Sequence, residues 1–304
     1  MSAAPGLRSR LSLGGASAFV FAFLYLPVAV LVIFSFNDAR TGASWAGFTT
    51  RWYLSLAENE GVREATWNSL YVAVTSTIVA VILGTMLSLA VDRHTFRGRG
   101  VVQQVLYLPV ITPEIVTGVS LLAFFSLVLQ GVNALFDLNP MEALRLGRPT
   151  VVIAHIGFNI AFVALVVRAS LRNLDPAMEE ASRDLGASAW VTFWRVTLPS
   201  ITPGVLGGAL LAFTLSLDDF VITFFVTGPG GETLPIEIYG QLRRTISPEI
   251  NALSSLLLAA STVALLSALA VQAVAGRRRR ARLQVRPVEP PADALSLRRE
   301  ETAM

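Results

Sequence analysis

Residues 179–205 read "EEASRDLGASAWVTFWRVTLPSITPGV". The stretch lies between two long apolar runs, opens on two carboxylates, carries Gly186 in its middle and leaves through Leu198-Pro199 and Pro203. Its residues spell two short helices around a corner. Asp175-Pro176 is a start signal: an N-cap residue, then proline at the first helical position. Glu179 and Glu180 fall in the first turn or so, where the helix dipole favours carboxylates. Met178, Ala181 and Leu185 share one face at helical spacing. Gly186 stops this helix, and Ser188 can cap a second one carrying Trp190, Phe193 and Trp194. Leu198-Pro199 and Pro203 then break the second helix before the next apolar run. Two readings stay open for so structured an insert. It is a rigid protrusion that fits a groove on another protein, or a helix pair lying on lipid.

The rest of the chain sets this insert in a membrane. Of its residues 53% are hydrophobic and 15% charged, and the mean hydropathy is +0.60. Soluble domains average nearer a quarter charged. Six apolar runs, about 16–36, 67–91, 102–129, 150–171, 203–226 and 252–275, are long enough to span a bilayer as helices. The expected fold is therefore all-α and polytopic. Residues 1–15 form a short N-terminal segment, 16–275 the membrane domain with its loop at 176–199, and 276–304 a basic, proline-rich and disordered tail. The first run is too long for a signal-peptide core and reads as an uncleaved span. With both termini inside, the inside segments carry 17 arginines against 7 outside, and 9 against 7 without the tail. This bias favours N-in, C-in. The chain has no cysteine and no lysine; all 24 basic residues are arginine, which reads as codon bias. The arginines flank spans, so the net charge of +3 is a topology signal and no nucleic-acid footprint. The tail's "RRRRAR" from Arg277 anchors the last span or meets anionic lipid. In the first outside loop, Trp45, Phe48, Trp52 and Tyr53 suit a membrane interface and equally an outer partner.

No nucleophile–base pair, phosphate-cradling glycine loop or metal-spaced set occurs, and neither His94 nor His155 has a metal-spaced partner. No residue is assigned to catalysis, cofactor or metal, and the chain does not hydrolyse ATP itself. The polar residues inside the apolar runs are the remaining candidates. A charge near the bilayer centre costs about 2.5–3.5 kcal/mol on insertion scales. Asp218 and Asp219 lie sixteen residues along a helix counted from Pro203, about 24 Å, in the outer half of the membrane. Helical neighbours point about 100° apart, so the two cannot face one lumen equally. They form a negative site on a cation's route, or one of them caps a broken helix or pairs with an arginine. Glu114, early in the third run, reads as a path residue or as a cap near the cytoplasmic side. Asn159, mid-way along the fourth, reads as an interhelical hydrogen bond or a cargo contact.

The opening stretch resembles the cytoplasmic EAA loop of ABC-importer permeases, with Glu180, Ala181, Ser182, then Gly186, then Val196, Leu198 and Pro199 at the family's spacing. Ser182 stands for a second alanine and Val196 for isoleucine. "SLDDFVITFFVTGPGGETLPIEIY" at 216–239, "SPEINAL" at 247–253, "FNDARTGASWAGFTTRWY" at 36–53 and "TFRGRG" at 95–100 are similar to the second permease of spermidine/putrescine importers. The likeness runs to about residue 275. It implies the MetI-like permease fold in a bacterial inner membrane. It also implies a coupling role for Glu180, Ala181, Ser182, Asp184, Gly186, Leu198 and Pro199 against an ATPase. The implied partners are a second, homologous permease, a homodimeric ATP-binding subunit that uses ATP and Mg, a periplasmic or extracellular substrate-binding protein, and lipid. The chain itself would hold no cofactor. Asp218, Asp219, Glu114 and Asn159 would line the path of a polyamine or another small organic cation. A stand-alone secondary transporter is the rival reading; it predicts inverted repeats, and none is visible. The orientation is directly testable in a chain without native cysteines. Single cysteines at Ser182 and Ser44 are expected to label from opposite sides of the membrane; labelling of both from outside would overturn the topology.

Overall fold

The computed structural model describes residues 7–39, 44–139, 141–244 and 247–283. The elements are α1 (Leu7–Phe34), α2 (Arg51–Glu58), α3 (Glu60–Arg93), α4 (Arg99–Ile111), α5 (Glu114–Leu135), α6 (Arg148–Arg172), α7 (Pro176–Asp184), α8 (Ala189–Thr192), a π turn (Phe193–Thr197), α9 (Leu198–Asp218), α10 (Val221–Val226), α11 (Leu234–Arg244) and α12 (Pro248–Leu283). Among the described residues the only β pairing is a single bridge between Asn37 and Phe48. Among the described residues six helical segments are long and apolar enough to cross a membrane, in keeping with the expected all-α, six-span fold.

Two of the apolar runs are interrupted. The run 102–129 is two helices. Thr112 is extended, at φ −73° and ψ 132°, because the ring of Pro113 disfavours helix at the residue before it. The run 203–226 also breaks, at Asp219, which is extended at φ −64° and ψ 124°. In contrast, Leu198-Pro199 and Pro203 do not separate the insert from the span. The Leu198 N–H bonds the Phe193 carbonyl five residues back, and the helix continues through this widened turn and past both prolines. Ala189–Asp218 is thus one near-continuous helical segment of 30 residues. At the chain's ends, α1 starts at Leu7, inside the expected N-terminal segment, and α12 runs past 276 to Leu283. Residues 1–6 and 284–304 lie outside the described part, and so does most of the expected disordered tail.

The bundle centre is α3, α6 and α9. In lipid, helices gain little by hiding apolar surface, so close approach through small residues decides who packs with whom. Gly84 of α3 and Gly208 of α9 both press on Val163 of α6. Gly204 does the same against Ser170, and Gly118 of α5 against Phe225 of α10. Buried polar groups then bond across the helices. Asn159 Nδ2 donates to Ser216 Oγ at 2.8 Å, and Ser216 Oγ lies 3.0 Å from Ser76 Oγ, which ties α6, α9 and α3 together. Ser88 Oγ donates to the Ala164 carbonyl at 3.0 Å. At the end of the same helices, Arg168 Nε donates to Asp92 Oδ1 at 3.0 Å in a nearly buried ion pair. The long loop after α1 is folded: Asn37 donates to the Ser44 carbonyl and accepts from the Ala46 N–H, and Trp52 Nε1 donates to the Asn37 carbonyl. Phe36 stacks between Phe48 and Tyr53 on this frame.

The Gly84 contact gives a test of the packing. A Cβ there would sit 2.9 Å from Val163 Cβ and 3.0 Å from the Ile160 carbonyl oxygen. Gly84→Val is expected to destabilise the bundle by about 1–3 kcal/mol. Thermal unfolding in detergent should report it; an unchanged midpoint would mean that α3 and α6 are free to part.

Candidate functional site

The two helix breaks lie against the same space. Glu114 at the start of α5 and Asp218-Asp219 at the end of α9 line one cavity of about 300 Å³, together with Thr117, Thr214, Phe158 and Phe220. Glu114 thus stands in the first turn of α5 and also lines the cavity, which joins the two readings its sequence position left open. The 13 residues of α4, about 20 Å of helix, precede it. Among the described residues its carboxylate has no hydrogen bond or ion pair, and its side chain is exposed to the cavity.

The two aspartates have different surroundings, as adjacent residues at a helix end must. Asp218 is exposed and accepts one bond, from Ser261 Oγ of α12 at 2.9 Å. Asp219 is withdrawn, its side chain only 8% exposed. Its Oδ2 accepts from the Thr223 N–H at 2.8 Å and from Thr223 Oγ1 at 2.7 Å, and its Oδ1 from the Ile222 N–H at 3.4 Å. Asp219 thus caps the short helix α10, one of the alternatives its sequence position left open. His155 Nε2, on α6, lies 2.9 Å from Thr223 Oγ1 and 3.4 Å from Asp219 Oδ2. Asn159 is fully buried in the α6–α9 bridge and does not line the cavity. Of the four expected path residues the structure brings Glu114, Asp218 and Asp219 together and leaves Asn159 behind them. His155 was passed over because its sequence neighbours hold no metal-ligand partner. The usable signal was its position: an ionisable group in an apolar run needs a polar neighbour from another helix.

The loop 176–199 forms a second surface. Asp175 caps α7 by accepting from the Ala177 N–H at 3.0 Å. Gly186 ends it in the left-handed region at φ +81°, with its own N–H on the Arg183 carbonyl and the Ala187 N–H on the Ser182 carbonyl. This pairing satisfies the last carbonyls of the helix and turns the chain. Ser188 starts α8 by accepting from the Val191 N–H, and Ser182 Oγ lies 3.1 Å from Thr192 Oγ1, which fixes α7 on α8. Glu180, Ala181, Asp184 and Leu185 are exposed, Leu185 by 89%, beside Trp190 and Trp194. Leu198 and Pro199 stand apart from this corner; they begin α9, and Leu198 packs toward the bundle core. The residue that holds the loop down is Glu179, expected only to favour a helix dipole. It is buried, and its Oε1 accepts from Arg93 at the end of α3 at 2.8 Å and from Thr197 of the π turn at 2.7 Å.

A membrane bundle with an acid-lined interior break and a clamped, solvent-facing loop is the build of a transport subunit, and the comparisons with known proteins agree. Residues 80–281 match the family described as binding-protein-dependent transport system inner membrane component. The spermidine/putrescine transport system permease protein PotC of Escherichia coli strain K12 is 38% identical over 254 residues, 84% of this chain and 91% of that protein. The putrescine transport system permease protein PotI of the same strain is 41% identical over 241 residues, 79% and 83% of the two chains. Among solved structures, a chain of a bacterial ABC transporter that imports the acidic polysaccharide alginate superposes with a TM-score of 0.67 at 20% identity, over 89% of this chain and 96% of that one. The chain belongs to the binding-protein-dependent transport system inner membrane component family: it is a multi-pass, non-catalytic ABC-importer permease of the inner membrane, and ATP is hydrolysed by a separate subunit.

Proposed function

We propose that this permease passes a polyamine, spermidine or putrescine, through the acidic cavity, and that it does so as one of two different, homologous permease subunits. The fold does not decide the cargo, since an importer of an acidic polysaccharide shares it. The observation that carries the reading is the pair of available carboxylates. Glu114 is unpaired, Asp218 makes a single bond to a hydroxyl, and both face one cavity inside the spans. A polyamine brings two or more ammonium groups separated by methylenes. Carboxylates compensate the charges, and the aromatic and aliphatic walls receive the methylenes. Away from bulk water the attraction strengthens as the local dielectric falls. The polyamine relatives, at 38% and 41% identity, support the same choice. Another small amine would use the same groups, and a panel of labelled amines separates the two.

The path needs a delivery side and a driving side. The N-in, C-in orientation favoured by the arginine bias puts the 176–199 loop in the cytoplasm, where its exposed corner of Glu180, Ala181, Asp184 and Leu185 meets an ATP-binding homodimer. A periplasmic or extracellular binding protein brings the cation to the opposite face. Co-purification of an ATPase with the chain, and uptake that stops without ATP, separate this reading from a stand-alone secondary transporter.

In vesicles containing the full complex, Glu114→Gln and Asp218→Asn are each expected to lower maximal ATP-dependent uptake of labelled spermidine about tenfold, or ~1.4 kcal/mol of barrier. The affinity of the isolated binding protein stays the same, because that step lies upstream. Parental uptake by both variants at equal expression would remove the cation-path reading. At the loop, any side chain at Gly186 is strained by about 1 kcal/mol or more in the left-handed region. Gly186→Val is expected to insert normally but to uncouple hydrolysis from uptake; normal coupling would show the corner is dispensable.

A further inference from the structure

We propose that His155 is a positioning residue that selects which of the two adjacent aspartates meets the cargo. The proposal rests on the cation-path reading above and deepens it. His155 is fully buried on α6, behind the cavity, with its ring 5.2 Å from that of the cavity-lining Phe158. A hydroxyl has one proton, and that of Thr223 goes to Asp219 Oδ2 at 2.7 Å. The 2.9 Å contact between Thr223 Oγ1 and His155 Nε2 therefore runs the other way: Nε2 carries the proton and donates it to Thr223. The result is a directed chain, His155 Nε2–H to Thr223 Oγ1–H to Asp219 Oδ2, with Nε2 itself 3.4 Å from that oxygen. The other ring nitrogen, Nδ1, is buried and has no hydrogen-bond partner among the described residues, so the imidazole's one hydrogen bond goes to Thr223 and, through it, to Asp219.

The consequence is geometric. Asp219 is held over the first turn of α10 by two backbone N–H groups and the relay, and it is committed there. The chain leaves α9 at that point, so Asp218 remains as the last helical residue, on the open side, with only Ser261 as partner. Without the imidazole donor, Thr223 Oγ1 loses its partner on α6 and Asp219 loses its ion-pair contact with that helix. The carboxylate keeps its donors on α10, but the capped turn is no longer tied to α6, and the break no longer has a fixed position against it. His155 touches no cargo in this account; it acts through Asp219.

The test uses the side chain's reach. Glutamine at 155 places an amide N–H near the position of Nε2; asparagine reaches only as far as Nδ1. The first readout needs no cargo. In the assembled complex a cysteine introduced at cavity-lining Val221, the first residue of α10, is labelled with a water-soluble thiol reagent; the chain has no cysteine of its own. His155→Asn and His155→Leu are expected to speed labelling at least threefold, and His155→Gln to leave it near the parental rate. The second readout is spermidine uptake. Maximal uptake should fall about fivefold in the Asn and Leu variants and recover in the Gln variant. The loss should vanish when Asp219→Asn is already present, yet persist on top of Asp218→Asn. Equal behaviour of the Gln and Asn variants, or a His155→Asn loss of the same size with and without Asp219→Asn, overturns the proposal. If the parent complex takes up no polyamine, the cargo reading fails while the labelling comparison still decides the role of His155.

Discussion

A helix broken inside a membrane must find partners for the backbone groups it frees, because the bilayer core offers no water. Each unsatisfied group there costs several kcal/mol. This chain breaks between α9 and α10 and repairs the break with one carboxylate. Asp219 takes the first N–H groups of α10, and at the far end of that helix Thr150 Oγ1 donates to the Val226 carbonyl at 2.7 Å. Both repairs come with α6 as the fixed wall, through His155 and Thr150. The same device that makes the break stable leaves the neighbouring carboxylate, Asp218, without a structural duty. A similar separation operates at α5. Pro113 ends α4, and the residue after it, Glu114, starts a new helix with its carboxylate unpaired at the cavity. The acidic character of the cavity follows from two helix interruptions that meet.

The second consequence concerns movement. The helical segment that ends at Asp218 begins at Ala189, in the exposed loop, and its 30 residues are about 45 Å of helix. It continues through the π turn and past both prolines. Glu179 ties α7 to both Arg93 and Thr197, so the loop, the end of α3 and the foot of α9 share one anchor. The exposed corner at Gly186 is therefore joined, through Glu179, to the same helix whose other end carries Asp218.

Much of this was legible from residues alone. The apolar runs, the Asp175-Pro176 start, the Ser188 cap and the left-handed corner at Gly186 are local features, and the backbone follows local chemistry there. What escaped depends on contacts between distant segments. Leu198-Pro199 and Pro203 read as breaks, yet Pro199 sits in the first turn of α9, where a missing N–H is tolerated, and Pro203 stands inside the continuing helix. The aspartates looked like a pair on one helix, yet the helix ends between them because a threonine four residues on and a histidine on α6 hold one of them. Asn159 reads as an interhelical hydrogen bond or a cargo contact, and only the serines of α3 and α9 decide for the first. The motif spacing singles out Glu180, and only the approach of Arg93 and Thr197 makes Glu179 the anchor and leaves Glu180 exposed.

On the proposed function, the space between the two interruptions is the cargo's route. Thr117 lies on its wall one turn beyond Glu114, and a single cysteine there would be the only one in the chain. In the assembled, reconstituted complex, Thr117→Cys should react with a small water-soluble thiol reagent, and turnover with spermidine-loaded binding protein and ATP should slow that reaction severalfold. A cysteine at this position that never reacts, or that reacts at one rate with and without cargo, would contradict the account.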